Sequence, residues 1–468
     1  MIWHIIRKEI LEHLLSLRFT LSLLLAVSLL SASGFLFIDK YKQESDNYWK
    51  ETNQNLSDLR EHTKHLYELV CYKQEVWRKP KPLTLCAEGS EKSLPDWFSF
   101  DPFTIDLPDV KSSSNFLLPH FVDIDLVFIT SLILSFVALL LTYDSICGER
   151  EAGTLRLMLA GSIPRHKILL GKYIGTVSTL GITLLLGLLA NLIIVTSSNV
   201  PVFGTLDWLK LISIVLLSFL YLSIFVLLGM FVSSRMARST SSMVILLLVW
   251  VGLVIVIPSF GRIISNALRK LPSRAELNGE ISQVLSQIKG EDFGPGAGSW
   301  NSYNDNPPAA ARYYNAQTDA RNRIMEEHVN QMIIQADTGR RLTLISPAVI
   351  YQRASETVAC TGMYRCVNLY QQVKRYQQSF KEYIRSKDTE DPDSLHLLFQ
   401  FPSEWVAENW GAISKKPVDF DTVPKFQERD PALARSLQGA MWDIGLLALF
   451  NLVFFTAAFV SFLRYDVR

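Results

Sequence analysis

Along the 468 residues, long apolar runs alternate with long polar stretches, and the length of each apolar run decides its reading. A hydrocarbon core about 30 Å thick takes roughly 20 mainly apolar residues wound as a helix. Six segments meet that requirement: 17–38, 122–142, 173–196, 208–232, 239–260 and 442–463. Because lipid offers no partner to an unpaired backbone group, such segments cross as helices. The pattern predicts an all-α polytopic membrane protein. The first run, "LRFTLSLLLAVSLLSASGFLFI", also carries the small residues of a secretory cleavage site. Glu9 and Glu12 in its leader, and the length of its apolar core, favour an uncleaved span.

The polar stretches divide into two large regions, 39–121 and 261–440. Residues 42–79 lack Pro and Gly and place Leu56, Leu59, Leu66 and Leu69 at helical spacing, which predicts a helix. Pro80 to Pro119 reads as irregular chain. In the second region helices are expected over 272–289, 309–339 and 364–387, with "GEDFGPGAGSWNSYNDNPP" as a loop between the first two. Tyr313, Tyr314, Tyr370, Tyr376, Phe380 and Tyr383 read as the packing stripe of a helical pair rather than a ligand cage. Residues 400–440, with Trp405 and Trp410, suit a membrane-proximal collar.

Charge orients the spans. Arg7, Lys8 and Arg18 precede the first; Arg150, Arg156, Arg165, Lys167 and Lys172 lie between the second and third. Arg235 and Arg238 separate the fourth from the fifth, and Arg464 and Arg468 follow the last. The excess of Lys and Arg marks the cytoplasmic side. Both termini, the loops 143–172 and 233–238 and the tail 464–468 are therefore expected inside, and both large regions outside. Arg262, Arg269 and Lys270 run against this, but long translocated regions obey the rule weakly. Composition agrees with a membrane protein: 49% hydrophobic, 19% charged, mean hydropathy +0.18. Lys and Arg (46) balance Asp and Glu (45), so no basic surplus points to nucleic acid.

Cys71, Cys86, Cys360 and Cys366 fall in the outer regions and Cys147 inside, which matches an oxidising outside. Three pairings of the outer four are open, and the nearest-neighbour bridges Cys71–Cys86 and Cys360–Cys366 are expected.

The sequence lacks a catalytic constellation. No G-x-x-x-x-G-K-[ST] occurs; "LLGKYIGT" at 169–176 has Tyr173 where Ser or Thr is required. H-E-x-x-H, G-x-S-x-G and zinc-spaced cysteine pairs are missing too. His62 and His65 read as a helix face rather than metal ligands. The span interiors carry no carboxylate, His or Arg of the kind that ion-coupled carriers use; Asp123, Asp125 and Asp443 sit at outer ends. Asn191 and Asn451 read as helix glue or as lining of a translocation path. Nothing here supplies energy.

One loop stands out, "GEREAGTLRLMLAGSIPRHKILLGK" at 148–172. From Asp144 to Ala160 it suits an amphipathic helix, with Leu155, Leu159 and Ile163 in one apolar strip and Met158 beside it. Glu149, Arg150, Glu151 and Arg156 would face water or a partner; Gly161 and Pro164 end the helix. The residues alone fit a connector and a docking helix equally. Continued through Gly175, this stretch resembles the inner loop of ABC-2-type permeases, the membrane subunits of a group of ABC exporters. The six-span plan and the leader "MIWHIIRKEILEHLLS", similar to an amphipathic connecting helix over 1–16, agree with that likeness.

The resemblance implies cytoplasmic ABC ATPase subunits that carry the ATP and Mg, with no cofactor on this chain. It also implies a second permease chain, identical or related, in a bacterial cytoplasmic membrane among its lipids. Glu149, Arg150, Glu151 and Arg156 would contact the ATPase, Gly153 and Thr154 would allow close approach, and Arg235 and Arg238 would form a smaller contact. "SPAVIYQRASETVACTGMYRCVNLYQQVKRY" (346–376) and the terminal "RYDVR" resemble a subgroup with a large outer domain between the last two spans. That subgroup often has Gly and His at the positions of Cys360 and Cys366, and losing both together supports a bridge. Export is the function implied; the alternative is mechanical transmission to an extracytoplasmic partner, with no cargo crossing.

Overall fold

A computed structural model describes residues 2–89, 95–106, 124–155, 164–198, 200, 203–260, 272–298, 306–401, 404–409 and 411–464. Helix α1, Ile2–Leu14, breaks at Leu15–Ser16, and the Ser16 hydroxyl accepts from the Phe19 N–H to start α2, Leu17–Glu61. At 45 residues α2 is one helix about 68 Å long, so the first span runs unbroken into the polar region beyond it. After α3, Leu66–Cys71, a three-stranded antiparallel sheet forms from β1 Gln74–Trp77, β2 Trp97–Phe100 and β3 Ile105–Asp106. Its register pairs Gln74 with Phe100 and Ser99 with Asp106. The sheet replaces the last part of the helix expected to Lys79. Val76 and Phe98 bury their side chains while Trp77 and Trp97 stay partly exposed, a period of two that helix packing does not need.

The second span, α4, runs as Leu126–Ile129, a π-helical turn Thr130–Leu134, and Ser135–Thr142. It is followed by α5 Cys147–Glu151, α6 Arg165–Ser197, α7 Thr205–Arg235 and α8 Ser239–Phe260. The remaining helices are α9 Arg274–Gln287, α10 Pro307–Leu342, α11 Pro347–Ala359, α12 Gly362–Thr389, α13 Glu404–Asn409 and α14 Leu433–Leu463. Six helices among the described residues are long and apolar enough to cross a membrane, each covering one expected span.

Arg165 donates to the Leu463 carbonyl at 2.8 Å, and α1 packs on the first turns of α6, so both ends of the chain gather at one end of the bundle. That is called the terminal end below. At the far end the two polar regions form one domain. The Leu66 N–H donates to the Lys416 carbonyl, the Val418 N–H to Thr63, and Leu69, Phe98, Phe100, Val373 and Phe380 share one core. His62 and His65 stack on Tyr72 and Tyr67 and bond the Asp58 and Lys415 carbonyls, as packing residues do. The aromatic stripe packs likewise: Phe100 lies edge-on to Tyr376 and Phe380, and Tyr314 stacks on Phe399.

Helix α11 lacks a counterpart among the expected spans. It enters the membrane body from the far-end domain: Tyr351 stacks on Tyr221, with centroids 4.6 Å apart, and its hydroxyl meets Ser218 Oγ at 2.7 Å. Both partners sit mid-way along α7. Ser346 Oγ donates to the Leu253 carbonyl on α8, and Arg353 forks onto Asp443 of α14 with Nε 2.9 Å from both oxygens. Thirteen residues is too short to span but long enough to plug the far-end half of a bundle.

The cysteine expectation needs correction. Cys71 and Cys366 pack against the same far-end cluster, whereas Cys86 is buried in the membrane-body cluster and Cys360 is fully buried at the end of α11, both as free thiols. Neither Cys71–Cys86 nor Cys360–Cys366 forms. The turn at Pro82–Leu85 carries Cys86 toward α4, where its carbonyl accepts from the Val127 N–H, and Cys360 Sγ lies 3.0 Å from Ser436 Oγ. Packing between separate segments, not nearness of one cysteine to the next along the chain, sets these neighbours.

Where the two parts of the far-end domain meet, Arg365 binds Glu428 at 2.9 Å and Lys81 binds Asp430 at 2.6 Å. Burial alone would raise the Glu428 carboxyl, but Arg365 and Lys81 outweigh it and hold it below the ordinary range. A carboxylate lowered in this way stabilises the fold above its unfolded pKa of about 4 and loses that contribution as pH falls through the native value. Protection from hydrogen exchange at residues 425–430, taken relative to the intrinsic rate at each pH, is therefore expected to fall as pH drops below about 4, and Glu428→Gln is expected to remove most of that acid dependence.

Candidate coupling site

The inner loop does not form one helix from Asp144 to Ala160. Helix α5 ends at Glu151, and Gly153 turns the chain with φ +73°, a conformation that strains any residue with a Cβ. Thr154 Oγ1 closes the turn onto the Glu149 carbonyl, and the chain then buries Leu155 in the body. A Cβ at Gly153 would touch nothing within 4 Å, so this glycine is required by backbone angle rather than by crowding within the chain. Arg156, Met158, Leu159, Gly161 and Ile163 lie outside the described residues.

Among the described residues, α5 and the residues just before it are tied to several neighbouring elements. Ser233 Oγ on α7 accepts from the N–H groups of Ile146 and Cys147, at 3.1 and 3.2 Å, and so caps the helix start. Glu151 accepts from both the N–H and the hydroxyl of Ser239, the first residue of α8. Glu149 Oε1 accepts from Lys172 Nζ of α6 at 2.8 Å, and the same ammonium reaches Glu9 of α1 at 2.8 Å. Lys8 adds a longer contact to Glu149 at 3.8 Å. Arg18, at the start of α2, binds Asp144 at 2.7 Å. Lys172 and Glu9 are 4% and 5% exposed, so the Glu9–Lys172–Glu149 triad is shielded from water.

The approach of α1 that completes the triad depends on two glycines. A Cβ at Gly171 would lie 2.6 Å from Ile5 Cγ2, and one at Gly175 would lie 2.8 Å from Glu9 Cβ. Small residues one turn apart let two helices approach this closely.

The expected partner-facing residues thus divide. Glu149 turns to contacts within the chain, Glu151 bonds Ser239 while staying exposed, and Arg150 is exposed beside them. Arg235 and Arg238 are exposed at the same end, Arg235 lying 5.9 Å over the Phe231 ring and Arg238 preceding α8. Asn451 donates to the Leu220 carbonyl of α7 at 2.9 Å, which joins two helices. Asn191 is fully buried with neither amide atom bonded, against Gly34 of α2. The sequence marked Lys172 as an orienting charge and as part of a motif; an acidic residue in the leader, Glu9, was the signal for its second partner.

A profile of ABC-2 family transporter proteins matches residues 3–467. The chain belongs to the ABC-2 transporter family. Within that family it is similar to two proteins called probable ABC transporter permease protein NosY. The one from Stutzerimonas stutzeri is 42% identical over 59 residues, 13% of this chain and 21% of that protein. The one from Pseudomonas aeruginosa is 41% identical over 59 residues, 13% of this chain and 22% of its own length. The chain therefore spans about a fifth of the relatives it matches.

Proposed function

We propose that this chain is the permease subunit of an ATP-binding-cassette exporter, moved by a separate cytoplasmic ATPase that docks on α5. One observation carries the reading: α5 is bonded to α1, α6, α7 and α8, while Arg150 stays exposed on it. A push on α5 reaches three spans and the leader through short polar contacts. ATP and Mg²⁺ bind the partner ATPase, which supplies the energy this chain has no motif to capture. Membership of the ABC-2 family and the names of its relatives support this assignment, as does the gathering of basic residues at the terminal end, which fits a cytoplasmic face. A second permease chain completes the assembly in the inner membrane.

Mechanical transmission to an extracytoplasmic partner is a second reading, and α2 favours it, because one unbroken helix links the terminal end to the far-end domain. ATPase stimulation by an envelope partner, with no cargo moved, would select it over export.

Arg150, exposed on α5, is the residue on which the test is made. Arg150→Glu is expected to leave expression and thermal stability within about 0.5 kcal/mol of wild type. ATP-driven transport by the reconstituted complex is expected to fall at least ~10-fold, the effect of losing about 1.4 kcal/mol of contact. Unchanged transport would refute the docking site.

A further inference from the structure

We propose that a cleft at the foot of the far-end domain binds one zwitterionic phospholipid, with its phosphate and ammonium among charged side chains and its tails along α2. The inference goes beyond the permease reading and does not require ATPase coupling.

The cleft holds about 130 Å³. A cavity of about 150 Å³ admits benzene, so the enclosed part suits a headgroup rather than a whole amphiphile. One wall is a single stripe of α2, running from Ser33, Leu36 and Phe37 through Lys40 and Tyr41 to Glu44, Asn47 and Tyr48. The fifteen helical steps from Ser33 to Tyr48 make that stripe about 22 Å long. It begins inside the apolar span, where Phe35 and Leu36 are 61% and 53% exposed, and ends in the polar domain. The apolar-to-charged gradient along one wall matches the gradient from acyl chain to headgroup.

Charge selects the headgroup. Lys40, Arg78, Lys81 and Arg365 line the cleft, and so do Glu44, Glu88, Asp96 and Asp125. Four cations against four anions leave no net field for an anionic headgroup to exploit. The cations are held in ion pairs, Lys40 with Glu88, Arg78 with Asp96 at 2.8 Å, Lys81 with Asp430 at 2.6 Å and Arg365 with Glu428 at 2.9 Å, while Asp125 accepts from the Glu88 backbone N–H at 2.9 Å. A headgroup that carries both signs can bridge such pairs without leaving a buried charge uncompensated. Phe37, Tyr41, Tyr48 and Trp77 add ring faces on the same lining, the surfaces that attract an ammonium group.

The test uses the full chain in nanodiscs holding equal amounts of phosphatidylethanolamine, phosphatidylcholine and phosphatidylglycerol, followed by native mass spectrometry. One zwitterionic lipid per chain is expected to survive release, at least ~10-fold over phosphatidylglycerol. Thr84→Trp, which fills the cleft, is expected to abolish that retention. The exposed Glu44→Lys leaves the core untouched and is expected to shift the preference toward phosphatidylglycerol. Equal retention of all three lipids by wild type, or unchanged preference in both variants, would overturn the proposal. Displacement of the lipid by millimolar soluble phosphoethanolamine would overturn it as well, because the free headgroup would then be the ligand.

Discussion

Lys172→Met is expected to destabilise the protein by about 3–5 kcal/mol, the usual cost of removing one member of a buried ionic group. Lys172 is 4% exposed and is the only cation within 3 Å of either Glu9 or Glu149 among the described contacts. Without it two carboxylates face each other out of water, and the α1 leader loses its ionic attachment to α6. Thermal unfolding of the purified chain measures the loss. A combined Glu9→Gln, Lys172→Met, Glu149→Gln variant is expected to recover most of that stability, because no uncompensated charge remains. Coupling should not recover with it. The neutral variant keeps the packing of α1 on Gly171 and Gly175 but has no ionic link between α5 and α6, so ATP-driven transport is expected to remain low. Stability and coupling separate in this pair of variants, which distinguishes a transmission role from a purely structural one.

Arg353→Ala is expected to cost a similar amount, about 3–5 kcal/mol, at the other end of the bundle. Asp443 is 2% exposed and takes a forked guanidinium contact from α11. Removing the arginine leaves the carboxylate buried on α14 and frees the helix from one of the three anchors described above. Hydrogen exchange over residues 347–359 is expected to rise well above that of the neighbouring α7. The exchanged pair Arg353→Asp, Asp443→Arg is expected to restore part of the protection. Unchanged exchange in Arg353→Ala would show that the Tyr351 stack and the Ser346 contact suffice to hold α11.

The six spans were legible because each apolar run exceeds the length that any soluble element needs, and length is read without knowing a partner. Helix α11 was not: its 13 residues include Arg353 and Glu356, and its insertion depends on Tyr221, Ser218 and Asp443, all distant in sequence. The sheet was missed for the same reason, since β1 has no strand character until Phe98 and Phe100 pair with it. In the coupling site, the residue types were legible and their directions were not. Glu149 and Glu151 look alike on a helical wheel, yet Lys172 and Ser239 draw both into contacts within the chain. The break at Gly153 escaped a periodicity argument, because one left-handed residue changes the path of a helix without changing its pattern of apolar positions.

The central claim is that a separate ATPase docks on α5, and site-specific photocrosslinking measures that contact directly. A photoreactive residue placed at Arg150 in the membrane-inserted full chain is predicted to capture a soluble subunit carrying G-x-x-x-x-G-K-[ST]. The same residue placed at the exposed Leu395 in the far-end domain is predicted not to capture it. Capture at Leu395 but not at Arg150, or at neither position while the complex hydrolyses ATP, would contradict the account.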